Sequence, residues 1–518
     1  MAGYIDKIKE YAAQDIDSTE LQKALTVIET KKIAVFIVAY NAEHHIESVI
    51  ERIPPEFGKL FAEIFIIDDS SSDKTYETSV RLKNKFSDYK INVYRTPYNR
   101  GYGGNQKLGY LYCIKKKYDY AVLLHGDGQY APEYLPKIIA AFDSDTDAVF
   151  ASRMLNKKRA LAGGMPLYKW LGNQTLTYIE NKLLNMKLSE FHTGFRAYKI
   201  SSLEASPFKY NSNDFHFDTE IIIQAKASAW KIVEVSLPAY YGDEKCRVNG
   251  TKYALNCIIA VVRYHLVNIG LYYRRNFDIG LFEDERFNLK NSPYSLHRYI
   301  LSETSATGVS IEIGSNKTRG ALSRKIAETT ANHFASDSIK TSNTGKSQFL
   351  EIDINGKFSE TTGEKKFDVC YSFDIIEHLD DPEKFIKQIF RLLKTGGKLY
   401  ISTANIGYLP MRISLLIGQF NYSRRGILDM THKRLFTLKT FKDIILQHGF
   451  KIEKIEGFPP PLTDFISKNI LMRLIEKIHH WLANLWPGLF AYNMLFVCRS
   501  IDGLDDIFEL TINRLDRN

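Results

Sequence analysis

The strongest constraint on how this chain can fold is a rhythm. Short apolar runs, each closed by polar residues, alternate with stretches of helical periodicity. The first series occupies residues 33–39, 63–67, 91–94, 120–124 and 148–151. Runs of this length suit buried strands, and their alternation with helical stretches predicts a mostly parallel sheet covered by helices. A second series begins near Gly308, at 309–313, 348–352, 367–372 and 398–402. Between the two, residues 274–296 are polar and carry no sustained period. Because 518 residues exceed what one hydrophobic core supports, two α/β domains are expected. The boundaries read as a helical extension at 1–32, a first domain at 33–275, a linker at 276–296, a second domain at 297–502 and a tail at 503–518. In the extension, Asp17 and Ser18 offer an N-cap ahead of Leu21, Leu25 and Ile28.

Composition narrows the function classes. With 44% hydrophobic and 25% charged residues, the chain is neither fibrous nor mostly disordered. A net charge of +9 suits phosphate-bearing substrates or an anionic membrane surface. The run Lys115 to Lys117 reads as a solvated face, no groove-reading motif accompanies it, and no nucleic-acid partner is expected. The cysteines Cys113, Cys246, Cys257, Cys370 and Cys498 are scattered and form no C-x-x-C pair, which indicates a reducing compartment. The N-terminal stretch has no apolar signal core, so the expected location is cytoplasmic, with peripheral contact at the inner face of a membrane as an option.

Ligands of open α/β sheets sit at the carboxyl ends of the strands. Here those ends read Ala39-Tyr40-Asn41, Asp68 to Asp73, and His125-Gly126-Asp127-Gly128-Gln129. Carboxylates at two of these ends can bond a base or ribose and hold a hard cation between diphosphate oxygens. Any one of them is also what a turn or helix cap looks like. As an ordered set, AYN, IIDDSSSDKT, NRGYGGNQKLG, LLHGDGQYAPE, ASRM, HTGFRAY and FDTEI resemble family 2 glycosyltransferases of the GT-A fold, particularly dolichyl-phosphate mannose synthase-like members, over residues 33–265.

That resemblance implies a nucleotide-sugar donor whose base and ribose meet Tyr40 and Asp69, with Asp68 beside them. It implies a divalent metal, Mg²⁺ or Mn²⁺, on Asp127 under the diphosphate, supported by Gln129. His125 stands where the family's D-x-D motif has its first acid, and a histidine there suits Mn²⁺ better than a Mg²⁺-only site. Arg153 matches the residue near the sugar or acceptor phosphate, a surface ion pair being the bland alternative. Glu190 is the acidic group near the reacting centre. Gly101, Gly103 and Gly104 allow either close approach to phosphate, with Arg100 or Lys107, or helix packing. Asp218, Glu220, Tyr241 and Arg247 complete the acceptor end. Inverting transfer is implied, in which a hydroxyl acceptor needs Glu190 as base, whereas a polyprenyl phosphate is already an anion. Many polyprenyl-phosphate transferases carry membrane helices after this domain and this sequence shows none, which favours a glycan acceptor.

The string FDVCYSFDIIEHLDDPEKFIKQIFRLLKTGGKLYISTAN, followed by THKRLFT and LFAYNMLFVCR, resembles class I S-adenosylmethionine-dependent methyltransferases with a Rossmann-like fold. The resemblance implies that cofactor, with Glu312 and Gly314 in its loop, Asp337 on the ribose, Asp353 and Ile354 on the adenine, and Phe373 and His378 lining the reaction centre. His378 has a structural helix role as an equal alternative, and His432 falls in the acceptor-side segment. Asn316 and Thr318 replace glycines and narrow the loop. The apolar insertion at 412–417 suits a lid or a membrane contact. The expected whole is a bifunctional enzyme that transfers a sugar and O-methylates a sugar or glycan. The alternative is a glycosyltransferase whose second half has become a binding or assembly module.

Overall fold

The computed structural model describes residues 10, 12–238, 241, 249–279, 288–304, 308–330, 332–339, 344–362, 366–466 and 469–501. Arg247, Cys246, the expected tail 503–518 and part of the expected linker lie outside the described residues. The chain divides into two compact units. One holds residues up to Tyr264 together with Arg274–Ile279, and the other holds His265–Tyr273 with the remainder.

The first unit is built on seven strands: β1 (Ile33–Ala39), β2 (Glu63–Asp68), β3 (Ile91–Arg95), β4 (Tyr120–His125), β5 (Ala148–Ser152), β6 (Arg196–Lys199) and β7 (Ile232–Ser236). Their order is β3-β2-β1-β4-β6-β5-β7. Every residue of β1 and β2 is buried, as a parallel sheet covered on both faces requires. The pairings Ala39 with Asp68 and Val38 with His125 bring the ends of β2 and β4 to one level on either side of β1. The order reverses at β1, so a crevice opens there between diverging connections. β6 runs antiparallel to both β4 and β5, and therefore begins at the edge where its neighbours end. Helix Ser18–Thr30 is capped by Asp17, reciprocated by Glu20, and buries Ala24 and Ile28.

The second unit contains β8 (Val309–Ile313), β9 (Asn332–Asp337), β10 (Gln348–Glu351), β11 (Phe367–Phe373), β12 (Leu393–Ala404), β13 (Phe450–Phe458) and β14 (Asn493–Ser500). The order is β10-β9-β8-β11-β12-β14-β13, with β14 antiparallel to β12 and β13. The reversal falls at β8, so its end and that of β11 face one crevice. Both units are α/β, as the alternation of runs predicts.

Candidate functional site

In the first unit, the residues at the ends of β1 and β2 lock to each other. Asn41, at φ +49°, accepts the Ser72 N–H at 2.9 Å and donates its own N–H to Ser71 Oγ at 2.8 Å. Asp68 is fully buried, bonded to the Ser71 hydroxyl and 3.3 Å from Arg95 Nε. Burial pushes its carboxyl above the usual range despite those partners. Asp69 accepts the backbone N–H of Arg100 at 2.8 Å and of Gly101 at 2.9 Å, and the Thr96 hydroxyl at 3.1 Å. Its carboxylate thus shapes the start of the glycine loop. Tyr40 stands exposed at the rim of this cluster.

The glycines of that loop seat a helix against residues 211–214. At Gly103 a Cβ would stand 2.5 Å from Ser212 O, and Gly101 combines φ +77° with a Cβ position 2.6 Å from Asn213 O. Lys107 donates to Asn211 O at 2.6 Å. Close packing is the role this geometry supports for them.

His125 ends β4 inside an aromatic box of Tyr102 and Tyr130. The Tyr102 hydroxyl donates to Asp218 Oδ2 at 3.0 Å and lies 3.2 Å from His125 Nε2. Having given its one proton to Asp218, Tyr102 must accept from His125, which leaves Nδ1 as the nitrogen with a lone pair. Burial pulls the His125 imidazole below its ordinary value, keeping it neutral. Asp127 accepts the Gln129 N–H at 3.0 Å around Gly128, whose φ is +76°. This turn is braced by Arg52, which donates to Gly128 O at 3.3 Å and forms a buried two-pronged pair with Glu133 at 2.8 and 3.0 Å. Asp127, half-buried, with the Nδ1 of His125 at the preceding strand end, is a donor set that fits a divalent cation.

On the opposite side, Glu190 is wholly buried and committed to Arg153. It receives the Arg153 N–H at 2.8 Å, Nε at 3.0 Å and a close Nη2 contact, and also Asn173 Nδ2 at 2.8 Å. Burial alone would raise this carboxyl, but the Arg153 charge and its hydrogen bonds outweigh that and hold it below the ordinary range. Arg153 also donates to Tyr241 Oη at 3.0 Å and His192 O at 2.9 Å, and lies over the Tyr130 ring. Arg196, fully buried at the start of β6, donates to Thr193 O and Phe191 O at 2.7 Å each and lies 3.6 Å from Asp218. Glu220 accepts Ser212 N–H at 2.5 Å and is raised by burial. Behind this segment, ligand atoms of Glu180, His192 and Cys257 lie within 4.8 Å of one another, with Tyr253 Oη 2.9 Å from His192 Nδ1 and the Thr219 hydroxyl 2.9 Å from Glu180. Burial pushes the Cys257 thiol up to about 12, so it stays protonated as the structure stands.

In the second unit, Gly314 follows β8 at φ +89°, and a Cβ there would meet Ile375 Cδ1 at 2.2 Å. Glu312 is buried against the Ser323 hydroxyl, and burial followed by the charge of Asp337 lifts it to about 7. Asp337 accepts Asn316 N–H at 2.9 Å and Ser338 N–H at 2.7 Å, while Asn316 Nδ2 donates to Ile339 O at 2.8 Å. Asp353 is exposed after β10 and accepts the Asn355 N–H at 3.1 Å, with Ile354 half-buried against the core. Phe373 is packed in a cluster with Tyr371 and Leu322. Beyond β11, ligand atoms of Glu377, His378 and His432 lie within 4.8 Å of one another. Both imidazoles place Nδ1 beside a backbone carbonyl, Thr431 O at 3.1 Å and Ile427 O at 2.9 Å, which turns Nε2 towards the cluster. His378 Nε2 meets Lys317 Nζ at 2.5 Å, and burial with the charges of Lys317 and His432 pushes it down to about 4. Glu377 is raised by burial and by Asp374 to about 8. The Lys317 ammonium thus occupies the His378 Nε2 lone pair, so this set could take a divalent cation only with Lys317 displaced.

Residues 34–206 match the family model Glycosyl transferase family 2, and residues 295–455 match the model Methyltransferase domain. The chain joins a family 2 glycosyltransferase domain to a methyltransferase domain. Both are transferase domains, the first of GT-A fold and the second of class I methyltransferase fold. The glycosyltransferase domain is similar to the UDP-N-acetylglucosamine–dolichyl-phosphate N-acetylglucosaminyltransferase of Methanococcus voltae, at 28% identity over 41% of this chain and 87% of that protein. It is also similar to the dolichol-phosphate mannosyltransferase of Pyrococcus furiosus, at 28% over 39% of this chain and 55% of the relative. The methyltransferase domain is similar to the mitochondrial ubiquinone biosynthesis O-methyltransferase of Dictyostelium discoideum, at 30% over 25% of this chain and 42% of the relative.

The glycosyltransferase domain thus gathers Asp68, Asp69, His125, Asp127 and Gln129 at neighbouring strand ends, and Arg153, Glu190, Asp218 and Tyr241 across from them. Sequence reasoning missed Tyr102, Arg196 and the Arg52–Glu133 brace, and in the methyltransferase domain Glu377 and Lys317. Glu377 adjoins His378 in the motif itself, and that adjacency was the available signal.

Proposed function

We propose that the glycosyltransferase domain transfers a sugar from a nucleotide-sugar donor to an acceptor that is already an anion, a polyprenyl phosphate, rather than to a glycan hydroxyl. The observation that carries this reading is the Arg153–Glu190 pair. Glu190, the acid expected to serve as base, is consumed by a guanidinium and an amide, and held ionised by them. A phosphate acceptor needs no base. The names of the archaeal relatives support the same acceptor class and make UDP-N-acetylglucosamine the first donor to test. Asp127 and His125 would hold a divalent cation, which offsets the charge that develops on the departing diphosphate. The boundaries 33–275 and 297–502 are proposed as the extents of the two domains, each with its own chemistry.

For the second domain we propose S-adenosylmethionine-dependent O-methylation of a sugar or glycan, the cofactor lying over Gly314 between Glu312, Asp337 and Asp353. A second reading, a binding or assembly module, is favoured by one observation: Asp337 already caps Asn316 and Ser338 within the loop. The test is nucleotide release from UDP- and GDP-sugars with Mn²⁺ or Mg²⁺, with a polyprenyl phosphate or a soluble oligosaccharide as acceptor. Release dependent on the lipid phosphate supports the first reading, and release only with the oligosaccharide overturns it. Calorimetry with S-adenosylmethionine decides the second domain, since absence of binding at millimolar cofactor leaves the module reading.

A further inference from the structure

In the second unit, helix Ile470–Leu485 is mounted with its apolar face outward. Ile470, Leu471, Leu474, Ile475, Ile478, Trp481 and Leu485 repeat at helical spacing on one side, and that side faces solvent: Ile470 is 87% exposed, Trp481 62% and Leu485 67%. Trp486, next in sequence, is 63% exposed. The inward side carries Glu476 and Ala483. An amphipathic helix of a self-contained domain buries the opposite face.

The helix cannot roll to hide the stripe. Glu476 accepts Thr463 N–H and the Ser292 hydroxyl at 2.7 Å each, so its carboxylate is spent inside. Asn484 exchanges two hydrogen bonds with Gly457 at 3.0 and 3.1 Å, and a Cβ at Gly457 would stand 2.3 Å from Ala483 O. Rotation would break these bonds and strand a buried carboxylate.

A second exposed apolar cluster lies on a helix bonded to the same region. Helix Leu409–Leu416 is tied to the same region by Arg412 Nη2 to Gly488 O at 3.3 Å and by the stacking of Tyr408 on His479. It exposes Leu415 and Leu416, followed by Ile417, with Leu416 85% exposed.

Charge and residue type select the occupant. The cations Arg473 and Lys477 are exposed one turn apart at the border of the stripe, and the helix's single acid is the inward Glu476. The stripe and its end hold two of the chain's four tryptophans. Tryptophan between an apolar face and cations suits the boundary between headgroups and acyl chains. Among the described residues no helix is long and apolar enough to cross a membrane. We propose that this face lies on an anionic lipid bilayer, helix Ile470–Leu485 in the plane of the headgroups, with Leu415, Leu416 and Ile417 inserted beside it. The proposal concerns the methyltransferase unit and stands apart from which sugar or acceptor the first domain uses.

The full chain, without substrates, is floated with vesicles of phosphatidylcholine alone or mixed with phosphatidylglycerol. Binding to the mixed vesicles is expected to exceed that to phosphatidylcholine and to fall with salt. Leu474→Glu with Ile478→Glu and Trp481→Glu should lower it by about tenfold or more, with an unchanged melting curve because all three side chains are solvent-facing. Arg473→Glu with Lys477→Glu should abolish the preference for the anionic lipid while sparing the fold. Equal flotation of wild type and the triple variant, or none by wild type, overturns the proposal. So does self-association of the wild type that the triple variant loses without any vesicle binding, since the face would then join two copies of the chain.

Discussion

The two units handle buried charge in opposite ways. In the glycosyltransferase domain, two buried acids of the acceptor side meet cations: Glu190 meets Arg153 and Asp218 meets Arg196. In the methyltransferase domain, Glu312 and Glu377 are buried with hydroxyl partners, and both are lifted towards neutrality, to about 7 and about 8. Glu190 and Asp218 thus have their counter-charges before any ligand arrives. The second has carboxyls that ionise only at a cost, which a bound cation or a cofactor's hydrogen-bond donors would offset.

The largest effect should come from removing the acid proposed to hold the divalent cation. Asp127→Ala is expected to cut metal-dependent sugar transfer about a thousandfold, roughly 4 kcal/mol of transition-state stabilisation. Its melting curve and S-adenosylmethionine titration should match wild type. Transfer near the wild-type rate would mean the cation sits elsewhere.

Next in size is the pair itself. Glu190→Gln leaves the Arg153 guanidinium buried without its counter-charge and should destabilise the first unit by roughly 3 kcal/mol in urea unfolding. If inorganic phosphate restores the loss, the Arg153 guanidinium is open to an anion once its partner is neutral. A variant as stable as wild type would show that the pairing contrast between the units has no energetic content.

The methyltransferase domain should respond to pH with a defined sign. Glu312 titrates near its ordinary 4.5 when unfolded and at about 7 when folded, so the folded state holds the proton more tightly. Its contribution is therefore fully present below the unfolded value and is lost as pH rises through about 7. Replacing it as Glu312→Gln should flatten that slope and leave the unit about 2 kcal/mol more stable at high pH. An unchanged slope would place the titration at Glu377 alone. Glu190, held below its ordinary value, has the opposite sign and loses its contribution as pH falls. The smallest effect is at the cofactor loop, where Asn316→Gly should tighten S-adenosylmethionine binding by about fivefold in calorimetry, by opening space rather than adding a contact. Weaker binding would show that the Asn316 side chain holds the loop in its receptive form.

Much of this was legible in the sequence, for a physical reason. Strands β1, β2, β4 and β5 are buried on both faces and read as apolar runs, and β11 reads as a mostly apolar one. The structure extends three of them by one polar residue, at Asp68, His125 and Ser152, and closes β11 one residue later, on Phe373. β6 and β9 were not legible as apolar runs. Arg-Ala-Tyr-Lys and Asn-His-Phe-Ala-Ser-Asp hide their polar groups through bonds the sequence does not display, such as Arg196 to Phe191 O and Ser310 to His333. The strand-end acids could be read one by one. Their partners could not, since Arg153 and Glu190 lie 37 residues apart and Arg52 and Glu133 lie 81 apart.

The reversed direction of β6 has a consequence for how such an enzyme can change. Donor-side residues leave the sheet from strands that end, whereas the segment 189–195 enters it ahead of a strand that begins. On the proposed function, Glu190 therefore comes from a stretch of chain separate from the donor-side strand ends. On that proposal, a graft of the entering segment, with the Arg196 anchor kept, is a change to the acceptor side that leaves the ends of β1, β2 and β4 untouched, so the two preferences become separable targets of drift or engineering.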